Sequence, residues 1–95
     1  MNDDAREGCL KANIDVLGER VRQDAKWGEQ NHDPFAWIAI LVEEVGEFAQ
    51  AALECGGLQR AGPAIGRMRE EAVQVAAVAL AIVECIDRSK WRWPR

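Results

Sequence analysis

Tyrosine is absent from this chain of 95 residues, which contains only one histidine, three prolines and 6% aromatic residues. Strands favour aromatic and β-branched side chains, whereas helices favour small and unbranched ones such as the alanines that are abundant here. The composition therefore predicts an all-α fold. The length predicts one domain spanning residues 1–95. A domain this small buries a limited share of its surface, so oligomerisation is a reasonable expectation.

Long apolar runs and an excess of positive charge are also missing. No stretch reaches the roughly 18 consecutive apolar residues of a membrane span, and residues 1–4 lack the features of a secretion signal. The formal net charge of −4 does not suit a protein that binds a nucleic acid polymer, because such proteins need a positive surface. We therefore expect a cytoplasmic protein that binds neither a membrane nor a nucleic acid polymer.

Closely spaced cysteine pairs are absent as well. The three cysteines, Cys9, Cys55 and Cys85, are far apart in the sequence and form no CxxC motif. Zinc sites and disulfide frameworks both need paired or clustered cysteines. We expect reduced and partly buried thiols.

The spacing of apolar residues predicts three helices. The first covers about residues 9–26, the second about residues 34–55 and the third about residues 63–88. Asp33 as N-cap and Pro34 at the first helical position mark the start of the second helix. These helices predict a bundle with a core of about residues 9–88.

The third helix is apolar on nearly every side. From Ala72 to Ile86 only Gln74 and Glu84 interrupt the apolar sequence. Such a helix must be covered on all sides, and two partner helices in a small chain cannot easily do so. We therefore expect a homodimer or homotetramer. Residues 89–95 form a basic and aromatic tail beyond this helix.

Two polar clusters on the predicted helices suggest a metal site. Glu44 and Glu47 are three residues apart, so their side chains project from nearly the same face of the second helix. Glu71 and Gln74 repeat that spacing on the third helix. Mg²⁺ prefers hard oxygen ligands and keeps positions open for water and substrate phosphates. If the two helices pack side by side, their four oxygen ligands converge on one ion.

Solvation offers a simpler reading of the glutamates, because charged helix faces are common on protein surfaces. Like charges at this spacing cost a few tenths of a kcal/mol per pair, however, and no lysine lies nearby to offset them. Glu43 is a candidate general base by adjacency to Glu44, although it points about 100° away from it on a helix. Arg67 and Arg69 either meet substrate phosphates or form surface ion pairs.

The segment between the first two helices carries candidate ligand-binding residues. Trp27 ends the first helix beside a polar loop, where it either stacks on a base or packs against the protein, and Lys26 precedes it. Gln30 is suited to paired hydrogen bonds with a base edge. His32 either contacts the substrate or braces the loop. Trp37, inside the second helix, is interpreted as a packing residue.

The order of these motifs resembles a known family. The motifs in chain order are Trp27…Gln30-x-His32, Glu44-x-x-Glu47 and Glu71-x-x-Gln74. Over about residues 14–88 the chain resembles the MazG-like all-α nucleoside triphosphate pyrophosphohydrolases, which carry ExxE, a gap and then ExxD. Gln74 stands where that family usually has an aspartate, so an amide oxygen without charge replaces a carboxylate.

The resemblance implies a function and a set of site residues. The reaction would be Mg²⁺-dependent hydrolysis of a ribo- or deoxyribonucleoside triphosphate to the monophosphate and pyrophosphate, with Mn²⁺ as an alternative ion. Glu43 would be the base. The implied metal ligands are Glu44, Glu47, Glu71 and Gln74, and the implied substrate-binding residues are Lys26, Trp27, Gln30 and His32.

Two other functions remain open from the sequence. The chain could be a non-catalytic helical module that uses its apolar third helix to bind a partner protein. It could also bind a nucleotide without cleaving it, because Gln74 brings no charge to the metal site.

Overall fold

The computed structural model describes residues 1–56 and 62–89, and these residues form three helices without any strand. The helices are α1 (Asp3–Trp27), α2 (Pro34–Cys55) and α3 (Pro63–Arg88). The prediction of an all-α bundle of three helices is confirmed. None of the described helices is both long and apolar enough to span a bilayer. Residues 57–61, and residues 90–95 of the predicted tail, lie outside the described residues.

The start of α1 differs from the sequence prediction. The helix begins at Asp3 and not near Cys9, so the predicted boundary is wrong. The side chain of Asn2 accepts a hydrogen bond from the backbone N–H of Ala5 at 2.8 Å, and acidic residues fill the first turn. This cap and the favourable interaction of acids with the helix dipole extend the helix before its apolar stripe begins.

The other helix boundaries follow the signals in the sequence. The Asp33 side chain caps α2 by accepting a hydrogen bond from the Ala36 N–H at 2.8 Å. Gly28 ends α1 with a φ of 72° and donates its N–H to the Asp24 carbonyl at 2.9 Å. Gly56 ends α2 in the left-handed conformation with a φ of 70°. Glycine adopts positive φ without the steric cost that other residues have.

The central helix of the chain is α3, which packs against both other helices, while the backbones of α1 and α2 do not approach each other closely. Most of the buried residues are small, and Trp37 is the largest of them at 4% exposure. The buried apolar residues are Trp37, Ala51, Cys55, Ala77, Val78, Ala81 and Cys85. Cys9 is exposed, and no disulfide joins any of the three cysteines, all of which the structure describes.

A buried arginine on α1 forms an ion pair with a glutamate on α3. Arg20 is 7% exposed, and its Nε and Nη2 donate to the two carboxylate oxygens of Glu84 at 2.6 and 3.0 Å. It also donates to Gln23 and Asp24 on its own helix at 3.1 Å. These contacts satisfy the guanidinium in a site where an unpaired charge would be costly.

The apolar faces of α1 and α2 are only partly covered within one chain. The stripe that predicts α1 consists of Leu10, Ile14, Leu17 and Val21, whose exposures lie between 58% and 64%. The predicted apolar arc of α2 also contains large exposed side chains, namely Ile38, Val42, Val45 and Leu53. A single chain therefore buries part of the apolar surface that its sequence encodes.

Candidate metal centre and adjoining cavity

Three carboxylates from two helices meet in the structure. One carboxylate oxygen from each of Glu44, Glu47 and Glu71 lies within 4.8 Å of the other two. Glu44 and Glu47 are one turn apart on α2, and Glu71 lies on α3, which packs alongside. The helical spacing and this packing bring together the three glutamates that the sequence predicts as metal ligands.

The electrostatics of this cluster suit a cation. Oxygen Oε2 of Glu71 is buried and has no hydrogen-bond partner. Partial burial raises the pKa of Glu71, as does the charge of Glu47, while the charge of Arg67 opposes them. The pKa of Glu44 is raised first by burial and then by Glu47 and Glu71. Three carboxylates with an unpartnered buried oxygen fit the hard-oxygen preference of Mg²⁺ or Mn²⁺.

The two remaining residues of the predicted centre lie in different surroundings. Gln74 is half-buried and lines a cavity together with Glu44. Glu43 is exposed and does not line that cavity, although its charge contributes to the raised pKa of Glu44. The structure thus places Gln74 near the cluster and leaves Glu43 on its outer side.

The cavity beside the cluster has a volume of about 570 Å³ and contacts all three helices and the loop between α1 and α2. Its apolar wall contains Trp37, Ile40, Val78 and Ala81. The polar residues of the sequence prediction that line it are Lys26, Trp27, Gln30, His32, Glu44 and Gln74. Residues far apart in the chain, chosen from motif order, therefore line one pocket.

The tryptophans and the histidine have distinct environments. Trp37 is buried, which agrees with its interpretation as a packing residue, and the His32 ring meets it edge-on with centroids 4.7 Å apart. His32 thus braces the loop and also lines the cavity. Trp27 is 62% exposed, with Lys26 Nζ 4.7 Å from its ring centroid. An exposed indole at the cavity is suited to stacking and contributes little to packing.

Two charged residues of the cavity wall are not among the residues that the sequence predicts for the site. Glu19 and Arg22 lie on the face of α1 that also carries Lys26, and both line the cavity. Arg22 donates from Nε to the Glu19 carboxylate at 2.8 Å. The spacing of 19, 22 and 26 marks one helix face, but α1 has a second, apolar face. Nothing in the sequence identifies the polar face of α1 as the one that lines the pocket.

The two arginines before the second acidic cluster are held by ion pairs. Arg67 pairs with Glu54 at the end of α2, and Arg69 pairs with Asp15 of α1 at 2.7 Å. The surface ion-pair interpretation therefore describes both residues in the structure. The positive charge of Arg67 still acts on the cluster, since it opposes the upward shift of the Glu71 pKa.

No family model matches the chain, and neither the curated proteins nor the solved structures include a match to it. Its chemistry is therefore inferred from its own residues. The pocket, together with the carboxylate triad that meets it at Glu44, offers carboxylates, an apolar wall, an exposed indole and the cations Arg22 and Lys26. A ligand that suits all four has a flat ring, polar edges and a polyanionic group that binds a divalent cation.

Proposed function

We propose that the protein is a Mg²⁺-dependent nucleoside triphosphate pyrophosphohydrolase that also accepts Mn²⁺. One observation carries the proposal: the triad Glu44, Glu47 and Glu71 adjoins a cavity lined by every residue predicted to bind the nucleotide. This is the reaction of the MazG-like family that the motifs resemble. A cytoplasmic location follows from the proposed function, because nucleoside triphosphates are concentrated there.

Different residues of the pocket bind different parts of the nucleotide. Trp27 stacks on the base, which contributes about 1–3 kcal/mol, and the side chain of Gln30 hydrogen-bonds a base edge. Trp37 and Ile40 form an apolar wall that excludes water from one side of the base. The phosphates extend towards the carboxylate triad.

The charged groups of the pocket and of the neighbouring triad would act on the phosphates. When bound by the triad, Mg²⁺ neutralises phosphoryl charge and lowers the pKa of a water molecule. Gln74 offers an amide oxygen beside the triad, and Arg22 and Lys26 on the cavity wall neutralise phosphate charge. Glu19, on the cavity wall, is placed to accept the proton of the attacking water. Glu43, the base that the resemblance implies, is the other candidate, although it is exposed and does not line the cavity.

The test is pyrophosphate release from a panel of ribo- and deoxyribonucleoside triphosphates, with Mg²⁺ and with EDTA. We expect release that requires the metal. Glu47→Ala should lower it by at least about a hundredfold because it removes a ligand of the ion, while helicity stays unchanged. Glu7→Ala, an exposed glutamate on α1, is the matched control. Normal turnover by the Glu47 variant would contradict the site assignment.

A homo-oligomer is part of this proposal. The exposed apolar residues of α1 follow each other at steps of four, three and four residues, which is the spacing of a coiled-coil seam. Phe35, Ile38, Val42 and Val45 repeat that pattern on α2 and are also exposed. We infer that a second copy of the chain covers these seams in a dimer or tetramer.

A non-catalytic module is the second candidate, and Gln74 together with the exposed apolar seams favours it. Such a protein would bind a nucleotide or a partner protein without hydrolysis. A melting temperature that does not respond to Mg²⁺ and nucleotide together would support the protein-binding form. If the protein binds a nucleotide without hydrolysis, Gln74→Asp should raise metal affinity. Gln74→Asn is the control, because asparagine has the length of aspartate but no charge.

A further inference from the structure

An arginine at the end of α3 holds three consecutive residues of the loop between α1 and α2. Arg88 Nη2 donates to the backbone carbonyl of Gln30 at 3.0 Å and to Asn31 Oδ1 at 3.1 Å. Its Nε lies 3.3 Å from Asn31 Oδ1 and 3.2 Å from Glu29 Oε1. One guanidinium group therefore contacts a carbonyl, an amide and a carboxylate of a single short loop.

The two ends of the loop are fixed by the helix caps Gly28 and Asp33 and by the packing of His32 on Trp37, while its middle has few polar contacts other than those of Arg88. Residues 28–33 contain no helix or strand. Asn31 donates to Glu29 at 3.1 Å within the loop, and the Cys85 thiol donates to the His32 carbonyl across a longer distance of 3.8 Å. The Arg88 contacts are thus the main polar link between the middle of the loop and the bundle.

The held loop belongs to the cavity wall. Gln30 lines the cavity, and its backbone carbonyl is the group that Arg88 binds. His32 on the same loop lines the cavity too. A polar group that recognises a ligand gains affinity and selectivity when the protein fixes it beforehand, because less ordering remains to be done on binding.

We propose that Arg88 is a positioning residue that sets nucleobase selectivity by fixing the loop that carries Gln30. The proposal rests on the proposed function, since it assigns the cavity to a nucleotide. Arg88 does not line this cavity but lines a neighbouring one of about 260 Å³ that shares Gln30 with it, so we assign its effect to the loop.

The experiment compares wild type with Arg88→Gln and Arg88→Lys, with Asp87→Asn as a control for a charge change at the neighbouring exposed position. We expect Arg88→Gln to raise KM about tenfold, the loss of one charge-assisted hydrogen bond, with kcat changed less than twofold. The ratio of kcat/KM for the best base to kcat/KM for the poorest base should fall. Arg88→Lys should restore part of this ratio.

A second measurement separates positioning from general loosening of the fold. In the Arg88→Gln background, Gln30→Ala should reduce base selectivity no further, although it reduces selectivity in the wild-type chain. Hydrogen exchange should rise at residues 28–33 and stay unchanged in the middle of α3. Full additivity of the two substitutions, or unchanged selectivity in Arg88→Gln, would overturn the proposal.

Binding measurements keep this proposal distinct from the proposed function. Calorimetry with α,β-methylene analogues of the four nucleoside triphosphates and Mg²⁺ reports selectivity without turnover. If the wild type binds these analogues selectively but hydrolyses no triphosphate, the hydrolase function fails, and the Arg88 variants still decide the positioning role. A wild-type chain that binds none of the analogues overturns both proposals.

Discussion

At the scale of single residues, the clustering of carboxylates that favours the proposed cation site also destabilises the folded chain. Partial burial and mutual repulsion raise the pKa values of Glu44 and Glu71. Without a cation, these charged groups are less stable in the folded chain than in the unfolded one. The same arrangement provides oxygen ligands whose repulsion a divalent ion relieves. If the triad binds a cation as proposed, it exchanges fold stability for affinity towards that ion.

This conflict predicts how stability depends on pH. An acid whose pKa is raised by folding binds more protons in the folded state, so its contribution is complete below the unfolded pKa and is lost as pH rises through the folded pKa. We expect Glu71→Gln to melt above wild type at neutral pH without metal. The difference should shrink as the pH approaches the ordinary pKa of a glutamate.

Added Mg²⁺ should reverse that order. The ion stabilises the state that binds it, so wild type should gain more than Glu71→Gln at neutral pH. Melting curves from pH 4 to 8, with Mg²⁺ and with EDTA, measure both effects, and Glu7→Gln controls for the loss of an exposed charge on a helix. Parallel curves for wild type and Glu71→Gln would count against the electrostatic account of the triad.

Some site residues can be predicted from helix geometry alone, whereas others depend on how the helices pack. Glu44 and Glu47 share a face because helix geometry alone fixes a spacing of three, and that inference needs no tertiary structure. The position of Glu71 beside them depends on the packing of α2 on α3. Glu19 and Arg22 depend on how α1 is rotated about its axis, and the apolar stripe of α1 points instead to solvent.

At the scale of elements, the helices are joined by few strong contacts. The backbones of α1 and α2 do not approach each other closely, so α1 packs mainly against α3. Arg20 and Glu84 make the most buried polar link between these helices, and their mutual hydrogen bond lowers the pKa of Glu84. The same α3 segment carries Arg88, which holds the loop that follows α1.

The Arg20–Glu84 link should be worth more than an ordinary surface ion pair. We expect Glu84→Ala to lower the free energy of unfolding by about 1–3 kcal/mol, because Arg20 stays buried and loses its strongest partner. Glu54→Ala, which breaks the exposed pair with Arg67, is the control and should cost at most about 1 kcal/mol. Chemical denaturation of both variants measures the difference. Equal losses would show that burial of the guanidinium contributes nothing.

Element boundaries were predictable where the sequence has a cap. Asp33 with Pro34 and the glycines at 28 and 56 mark helix ends by local chemistry, and the structure agrees with each. The start of α1 was missed because the prediction followed the apolar stripe, which begins later than the cap at Asn2. The Arg20–Glu84 pair joins residues 64 positions apart, and no local signal indicates such a contact.

At the scale of the whole molecule, the most unusual feature is the exposed apolar seams of α1 and α2. Soluble monomers seldom expose long continuous apolar stripes, and both α1 and α2 do so here. The seams lie on helices whose opposite sides pack on α3. A second copy can therefore cover them without disturbing the cavity or the carboxylate triad.

Dissociating the proposed oligomer tests this architecture. Leu17→Glu places a charge in the middle of the α1 seam, where association would have to bury it without a partner. We expect the variant to elute with the mass of a monomer by light scattering, while wild type elutes as a dimer or tetramer. Because Leu17 is 62% exposed within the chain, helicity should persist at low temperature, and thermal stability should fall.

Ala12→Glu adds the same charge on an exposed part of α1 outside the seam and should leave the mass unchanged. A monomeric wild type would refute the oligomer, and its apolar seams would then be available to a different protein partner.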